Sequence, residues 1–292
     1  MKNHKLIVCL FTLMFTVLPP TALSEAPLTF KFTTTNVPGA LQTFPGGINN
    51  AGVTVGEYVD SSHLAHGYIL NGKKVTTVDD PKGIGTSCAN LPPNGTIVVV
   101  GYYITSSGNS IGFVLNNGTF TDIPGPEGAS ASAAFGINDS GAIVGDYTDS
   151  LGATHGFLLK GTTYITLDVP GALSTVAYGI NNKGNIVVSW ENSKGAYKAS
   201  LYNGKTYRTI DVPGATESLA QDLNSAGDVV YQWFDSNGMS HGALLQAGKY
   251  YKFNYPKAVF TYGSGINDKS TIVGWYETTT NGPASGFKAT FK

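Results

Sequence analysis

This chain of 292 residues has little charge. Only 13% of its residues are Asp, Glu, Lys or Arg, and the two signs almost cancel, leaving a net charge of −1. No basic patch or run of one sign occurs. That argues against a nucleic-acid partner, because phosphate binding draws on clustered Lys and Arg. Cysteine is nearly absent. Cys9 falls in a leader segment, so Cys88 is left alone, which excludes an internal disulfide and a cysteine metal cluster. Helical periodicity is missing beyond the leader. So are Gly-x-Ser-x-Gly, His-Glu-x-x-His, the phosphate-binding loop and the dinucleotide fingerprint, which removes the common signatures of hydrolases and nucleotide enzymes. No later apolar run is long enough to span a membrane.

The first 24 residues have the form of a secretory signal peptide. Lys2 and Lys5 make a basic start, residues 6–17 are apolar, and Ala22, Leu23, Ser24 and Ala26 are small residues suited to cleavage after 24 or 26. The apolar run is too short for a membrane span. No Cys stands at the cleavage point, so no lipid anchor is indicated. Residues 25–292 read as one domain, secreted or periplasmic and without a membrane span after cleavage, and large enough to build its own core.

What the chain has in abundance is glycine, 37 residues, together with Thr, Asn, Ser, Val and Tyr. This composition suits short strands joined by tight turns. It is also periodic. Gly136-Ile137-Asn138, Gly179-Ile180-Asn181, Asp222-Leu223-Asn224 and Gly265-Ile266-Asn267 follow one another at a constant step of 43 residues. Gly47-Ile48-Asn49 lies 89 residues before the copy at 136, two steps plus three. A period of this size marks a solenoid, a propeller or an array.

One repeat, 172–214, divides into four strands at 175–181, 185–190, 197–202 and 206–212. They are separated by Asn181-Asn182-Lys183-Gly184, Asn192-Ser193-Lys194-Gly195 and Asn203-Gly204, all turn sequences. Four antiparallel strands per repeat make a propeller blade. The last copy has three strands, and residues 30–37, followed by Pro38-Gly39-Ala40, read as the missing fourth. The expected fold is therefore all-β, a six-bladed β-propeller whose last blade is closed by the N-terminal strand. The second blade is the irregular one: Cys88-Ala89-Asn90 reads in the place of Gly-Ile-Asn, with a longer first turn through Leu91-Pro92-Pro93-Asn94-Gly95.

The patterns Gly-Ile-Asn-Asp-Ser-Gly-Ala-Ile-Val-Gly-Asp-Tyr at 136–147, His-Gly-Phe-Leu at 155–158 and Asp-Val-Pro-Gly-Ala at 168–172 resemble the bacterial extracellular repeats called the HAF family. The resemblance covers nearly all of the chain after the leader. It implies a secreted, propeller-like repeat protein and implies no reaction.

Stacking the repeats aligns four polar or aromatic columns. Asn49, Asn138, Asn181, Asn224 and Asn267, each followed by a second polar residue (Asp139 and Asp268 among them), read either as side-chain-capped turns or as a ring of oxygens for a hard cation such as Ca²⁺, with Asn138, Asp139, Asn267 and Asp268 as ligands. No other cofactor is indicated. Thr43, Ser132, Thr175, Ser218 and Thr261 read as hydroxyls lining a polar funnel, or as backbone partners where one blade hands over to the next. His66, His155 and His241, in blades one, three and five, invite a shared zinc, but they begin the third strand, away from the axis. Tyr58, Tyr103, Tyr147, Trp190, Trp233 and Tyr276 end the second strand, where aromatic rings either stack on sugars or pack between blades.

Repeat-breaking charged residues are the candidates for catalysis: Glu217, Asp222 and Lys257, with Glu127 as a further one. The sequence favours a binding or scaffold module for extracellular carbohydrate or a cell-surface protein. A propeller-type glycan hydrolase or lyase and a purely structural envelope protein stand as the alternatives.

Overall fold

The computed structural model describes residues 28–292; the signal-peptide reading falls outside them. Six four-stranded antiparallel sheets form the six blades of a β-propeller. Blade one consists of Gln42–Ile48, Thr54–Val59, Ala65–Asn71 and Lys74–Val78. The first strands of blades two to six are Gly85–Asn90, Ala131–Ile137, Ser174–Ile180, Glu217–Leu223 and Phe260–Ile266. The repeat dissected above folds as Ser174–Ile180, Ile186–Glu191, Tyr197–Tyr202 and Tyr207–Thr209, within two residues of the expected limits except that the fourth strand stops three residues early.

Closure follows the expected route. Phe30–Thr34 pairs antiparallel with Ser285–Phe291, so the sixth blade is built from both ends of the described chain. Phe30, Phe32, Phe253 and Phe287 meet at this seam, with Phe30 and Phe253 4.8 Å apart and Phe32 edge-on to Phe287 at 5.5 Å. An otherwise open sheet edge is thereby paired and its apolar face covered.

Five of the six blades are filled by a complementary pair on their second and third strands; blade four has Val188 facing Ser200 there. Gly56 faces Tyr68, Gly101 faces Phe113, Gly145 faces Phe157 and Gly274 faces Phe287. All four rings are fully buried. In blade five the sizes are reversed: Tyr231 faces Ala243 and donates its hydroxyl to the Ile210 carbonyl at 3.0 Å. Conserving volume across the pair keeps the blade close-packed whichever strand carries the ring.

The second blade is regular in architecture but shifts the alignment. Its bulge lies between Cys88 and Asn90, and Asn90 pairs with Val100 as Gly47 pairs with Val55. Asn90 therefore occupies the glycine column, 43 residues after Gly47. Leu91 stands for the isoleucine and Pro92 for the asparagine. The insertion falls in the turn that follows.

Candidate functional site

Every first strand carries a β-bulge near its end, two residues before it in five blades and one residue before it in blade two. One residue is skipped in the ladder each time: Gly46, Ala89, Phe135, Tyr178, Gln221 and Ser264. A bulge re-aims the extra side chain and is favoured beside functional sites. Here all six residues line one cavity of about 350 Å³ on the propeller axis. The cavity leans toward blades six, one and two, where Phe44, Glu57, Ser87, Tyr102, Tyr262 and Trp275 complete its wall.

Aromatic rings dominate that wall. Trp275 stacks on Tyr262 at 5.2 Å and takes Phe44 edge-on at 5.3 Å. Phe135 lies 5.0 Å from Tyr178 and meets Tyr102 edge-on. Polar groups are few. Glu57 and Tyr102 both reach the Ser87 hydroxyl, while the Gln221 side chain lies beside the Tyr262 hydroxyl without a hydrogen bond from its Nε2. Burial pushes the Glu57 carboxyl above its ordinary value, offset in part by Ser87. Burial also raises Tyr102, Tyr178 and Tyr262, with nearby carboxylates adding to the first two. The Gln221 Nε2 is buried without a hydrogen-bond partner. No Lys, Arg or His is among the lining residues. Asp146, in blade three, is pushed up to about 6 by burial, and its charge is felt at Tyr102 and Tyr178.

The cavity is a blind cup. Toward the ends of the first strands the axis narrows to a void of about 10 Å³, ringed by Ile48, Leu91, Ile137, Ile180, Leu223 and Ile266, one from each blade. That is scarcely room for one water.

The residues singled out from the sequence lie elsewhere. The hydroxyl column does not line the axis. Strand alternation turns Phe44 inward and Thr43 into the joint between blades. Thr43, Thr175, Ser218 and Thr261 accept the backbone N–H of Val37, Val169, Val212 and Tyr255, each six residues earlier. Ser132 instead donates to the Ile123 carbonyl at 2.6 Å and accepts from Gly112 N–H. All five are almost fully buried, and Thr86 fills the same position in blade two.

The aromatic and histidine columns prove to be one row. Tyr58 pairs across strands with His66, Tyr147 with His155 and Trp233 with His241, and in each pair the rings stack at 4.6–5.1 Å. Trp190 and Tyr276 hold the same position opposite Lys198 and Ser285. Each histidine is held between two acceptors: His66 between Asp79 and Asp60, His155 between Asp168 and Asp149, His241 between Asn254 and Asp235. The ring is thus used to tie the turn between strands two and three to the end of strand four. Tyr276 stacks face to face on Tyr255 at 3.5 Å, and Lys252 caps Trp233 at 4.0 Å.

The asparagine column forms a girdle. The Oδ1 atoms of Asn138 and Asn267 accept N–H groups two and four residues on. Their Nδ2 atoms donate to the next blade, Asn138 to the Asn181 carbonyl and Asn267 to the Asn49 carbonyl at 2.9 Å. Asp139 accepts from Asn94 N–H and Asn182 Nδ2, and Asp268 from Ser225 and Asn50. The girdle breaks at Pro92, and Asn49 Nδ2, which precedes that gap, has no partner. The oxygens of the cation reading are therefore engaged by turns and neighbouring blades. Among the described residues no group of three His, Cys, Asp or Glu side chains is disposed to hold a metal.

The charged candidates do not converge. Glu217 opens the strand Glu217–Leu223, half-buried and paired with Phe234, while Asp222 lies near its far end. Strand rise puts them about 16 Å apart, too far for the paired carboxylates of glycoside hydrolysis, about 5–10 Å. Lys257 is exposed at φ +65°, taking the glycine place in a copy of the Pro-Gly-Ala turn. Glu127 is exposed in a loop. Cys88 is buried, and burial pushes its thiol up, which makes it a poor nucleophile.

No protein-family model matches the chain, and no curated protein is similar to it in sequence. Its fold is shared with solved propellers. The SapL1 lectin in complex with α-methyl fucoside is 11% identical over 86% of this chain and 95% of that one, with a TM-score of 0.58. TolB from Acinetobacter baumannii is 10% identical over 81% of this chain and 65% of its own, at 0.59. The β-propeller domain of the Trilobed protease from Pyrococcus furiosus is 11% identical over 85% and 81%, at 0.55. At such identities the likeness is one of fold.

Proposed function

We propose that the protein is a secreted binding module and that the axial cup is its carbohydrate site. The observation that carries this reading is the composition of the cup. It is a cavity of about 350 Å³ walled by Phe44, Tyr102, Phe135, Tyr178, Tyr262 and Trp275, with Glu57, Ser87, Gln221 and Ser264 between the rings. Small-molecule sites begin at about 300 Å³ and combine apolar walls with a few fixed polar groups. A pyranose has an apolar ring face for stacking and hydroxyls for the carboxylate and amide. The SapL1 lectin, bound to α-methyl fucoside, offers a propeller precedent for sugar recognition. The leader and the HAF-like repeats favour an extracellular setting. No helix among the described residues is long and apolar enough to cross a membrane.

Binding is favoured over catalysis because Glu217, Asp222 and Lys257 do not meet. It is favoured over a purely structural role because a structural module has no need of an aromatic cup. The test is a glycan array followed by calorimetry on the purified protein. A defined oligosaccharide should bind and raise Tm, and Trp275→Ala or Tyr178→Ala should remove that binding while the protein still melts cooperatively. A flat array, with saturable binding to a cell-surface protein instead, would overturn the carbohydrate reading.

A further inference from the structure

We propose that the cup selects a ligand bearing a protonated amine and that Glu57 reads that charge. The inference rests on the carbohydrate reading above and narrows its ligand to an amino sugar, a pyranose in which an ammonium replaces a ring hydroxyl.

Three observations converge. The first is charge. Glu57 is the one carboxylate among the lining residues, and no Lys, Arg or His accompanies it there. Its protein partner is the neutral Ser87 hydroxyl. A carboxylate withdrawn from water gains most from a cation, and the protein supplies none at this place. Asp146 adds a second negative charge near Tyr102 and Tyr178.

The second is the wall. Ring faces carry negative quadrupole potential, and a cage of Tyr, Trp and Phe around a carboxylate is the arrangement that attracts organic cations. Trp275 and Tyr262 present stacked rings beside Phe44, and Phe44 pairs across strands with Glu57.

The third is Gln221. Its side chain enters the cup from the bulge of blade five. The residue is 7% exposed, and its Nε2 donor has no partner. A buried unpaired donor is costly, so a ligand that fits must also bring an acceptor oxygen. A neutral sugar lacks the cation, a simple alkylamine lacks the acceptor and the ring face, and a uronic acid is repelled by Glu57. An amino sugar supplies all three.

The experiment is calorimetric titration of the purified protein with oligosaccharides matched in length and linkage. The set comprises glucosamine, N-acetylglucosamine, glucose and glucuronate oligomers, with an alkylamine as a non-sugar control. The glucosamine oligomer should bind at least about tenfold more tightly than the acetylated or neutral one, and the preference should weaken with salt. Glu57→Gln should reduce that preference to within about twofold without lowering Tm, since the change removes charge and keeps shape. Asp146→Asn provides a second variant, with a smaller reduction.

Equal affinity for amino and neutral sugars, or an undiminished preference in Glu57→Gln, overturns the inference while leaving the carbohydrate reading in place. Alkylamine binding as tight as amino-sugar binding keeps the cation preference and overturns the sugar. Absence of binding across the set overturns both.

Discussion

The carboxylate of Asp222, in the fifth blade, accepts the backbone N–H of Ile266 in the sixth at 3.1 Å, while its other oxygen accepts from Leu223 at 2.9 Å. Its place in the repeat is held by glycine in four blades and by Asn90 in the second, diametrically across the axis. The Asn90 amide is turned toward it and favours its charged form. Burial is the larger influence and pushes Asp222 up to about 7. The residue that broke the repeat, and so looked catalytic, is instead a crosspiece beneath the cup.

Replacing Asp222 by Ala removes the acceptor for the buried Ile266 N–H. Such a loss costs about 1–3 kcal/mol. Asp222→Asn keeps one acceptor oxygen and should cost less. Urea unfolding of the two variants checks the order. Equal stability of Asp222→Ala and the wild type would deny the crosspiece a structural role.

Stability should peak in mild acid. Asp146 and Asp222 have folded-state values of about 6 and 7 against an ordinary 3.8, and Glu57 is raised as well. Groups raised in this way bind more protons folded than unfolded, so their contribution is lost as pH climbs from about 4 through 7. His66 and His155 act in the same direction. Burial lowers them, but Asp79 with Asp60, and Asp168 with Asp149, outweigh it and raise them. Their contribution is present below 6.5 and lost above. On the acid side, Asp60, Asp149 and Asp235 are held below the ordinary value by turn N–H groups, first those of Leu64, Ala153 and Met239. Hydrogen bonds from Asn50 and Ser225 outweigh burial at Asp268 and lower it. The contribution of these four is full above 3.8 and is lost as pH falls below it, through their lowered folded-state values. Tm measured from pH 3 to 9 should therefore form a dome with its maximum at about pH 4–6. A maximum above pH 8 would show that the buried carboxyls are not raised.

Ser270 stands where blades one, three, four and five place a glycine in the first turn, and it adopts φ +57°. A side chain in that region costs about 1 kcal/mol. Ser270→Gly should raise stability by about that amount, and guanidinium unfolding measures it. A loss of stability would mean that the serine hydroxyl is engaged in the turn.

Gly145 and Phe157 share one volume. A Cβ on Gly145 would run into the Ala133 carbonyl and the Phe157 ring. Gly145→Ala should destabilise by about 1–3 kcal/mol through overpacking, and Phe157→Ala by about 3–5 kcal/mol through the cavity it leaves. The double variant should cost less than the sum, since removing the ring relieves one of the two clashes. Strict additivity in a double-mutant cycle would show that the two do not compete for space.

The repeat period, the turn residues and the three-stranded last copy determined the blade count and the closure of the ring, because those features are local. A turn needs Asn and Gly at fixed offsets, and a strand needs its own residues to alternate. The girdle of asparagine turns was legible for the same reason. The histidine row was half legible: each histidine stands 13 residues before its acceptor, but stacking on the second-strand aromatic appears only when strands pair. Tertiary structure alone decided the cup. Gly46, Ala89, Phe135, Tyr178, Gln221 and Ser264 precede the repeated motif and have no residue type in common, so no column drew attention to them. Strand alternation carries them to the axial face, two residues beyond Phe44, Ser87 and Tyr262 in three of the blades, and six-fold closure brings them together. The hydroxyls expected there were turned into the blade joints by strand alternation. Where a side chain points depends on strand register and ring closure, and neither is written in any one repeat.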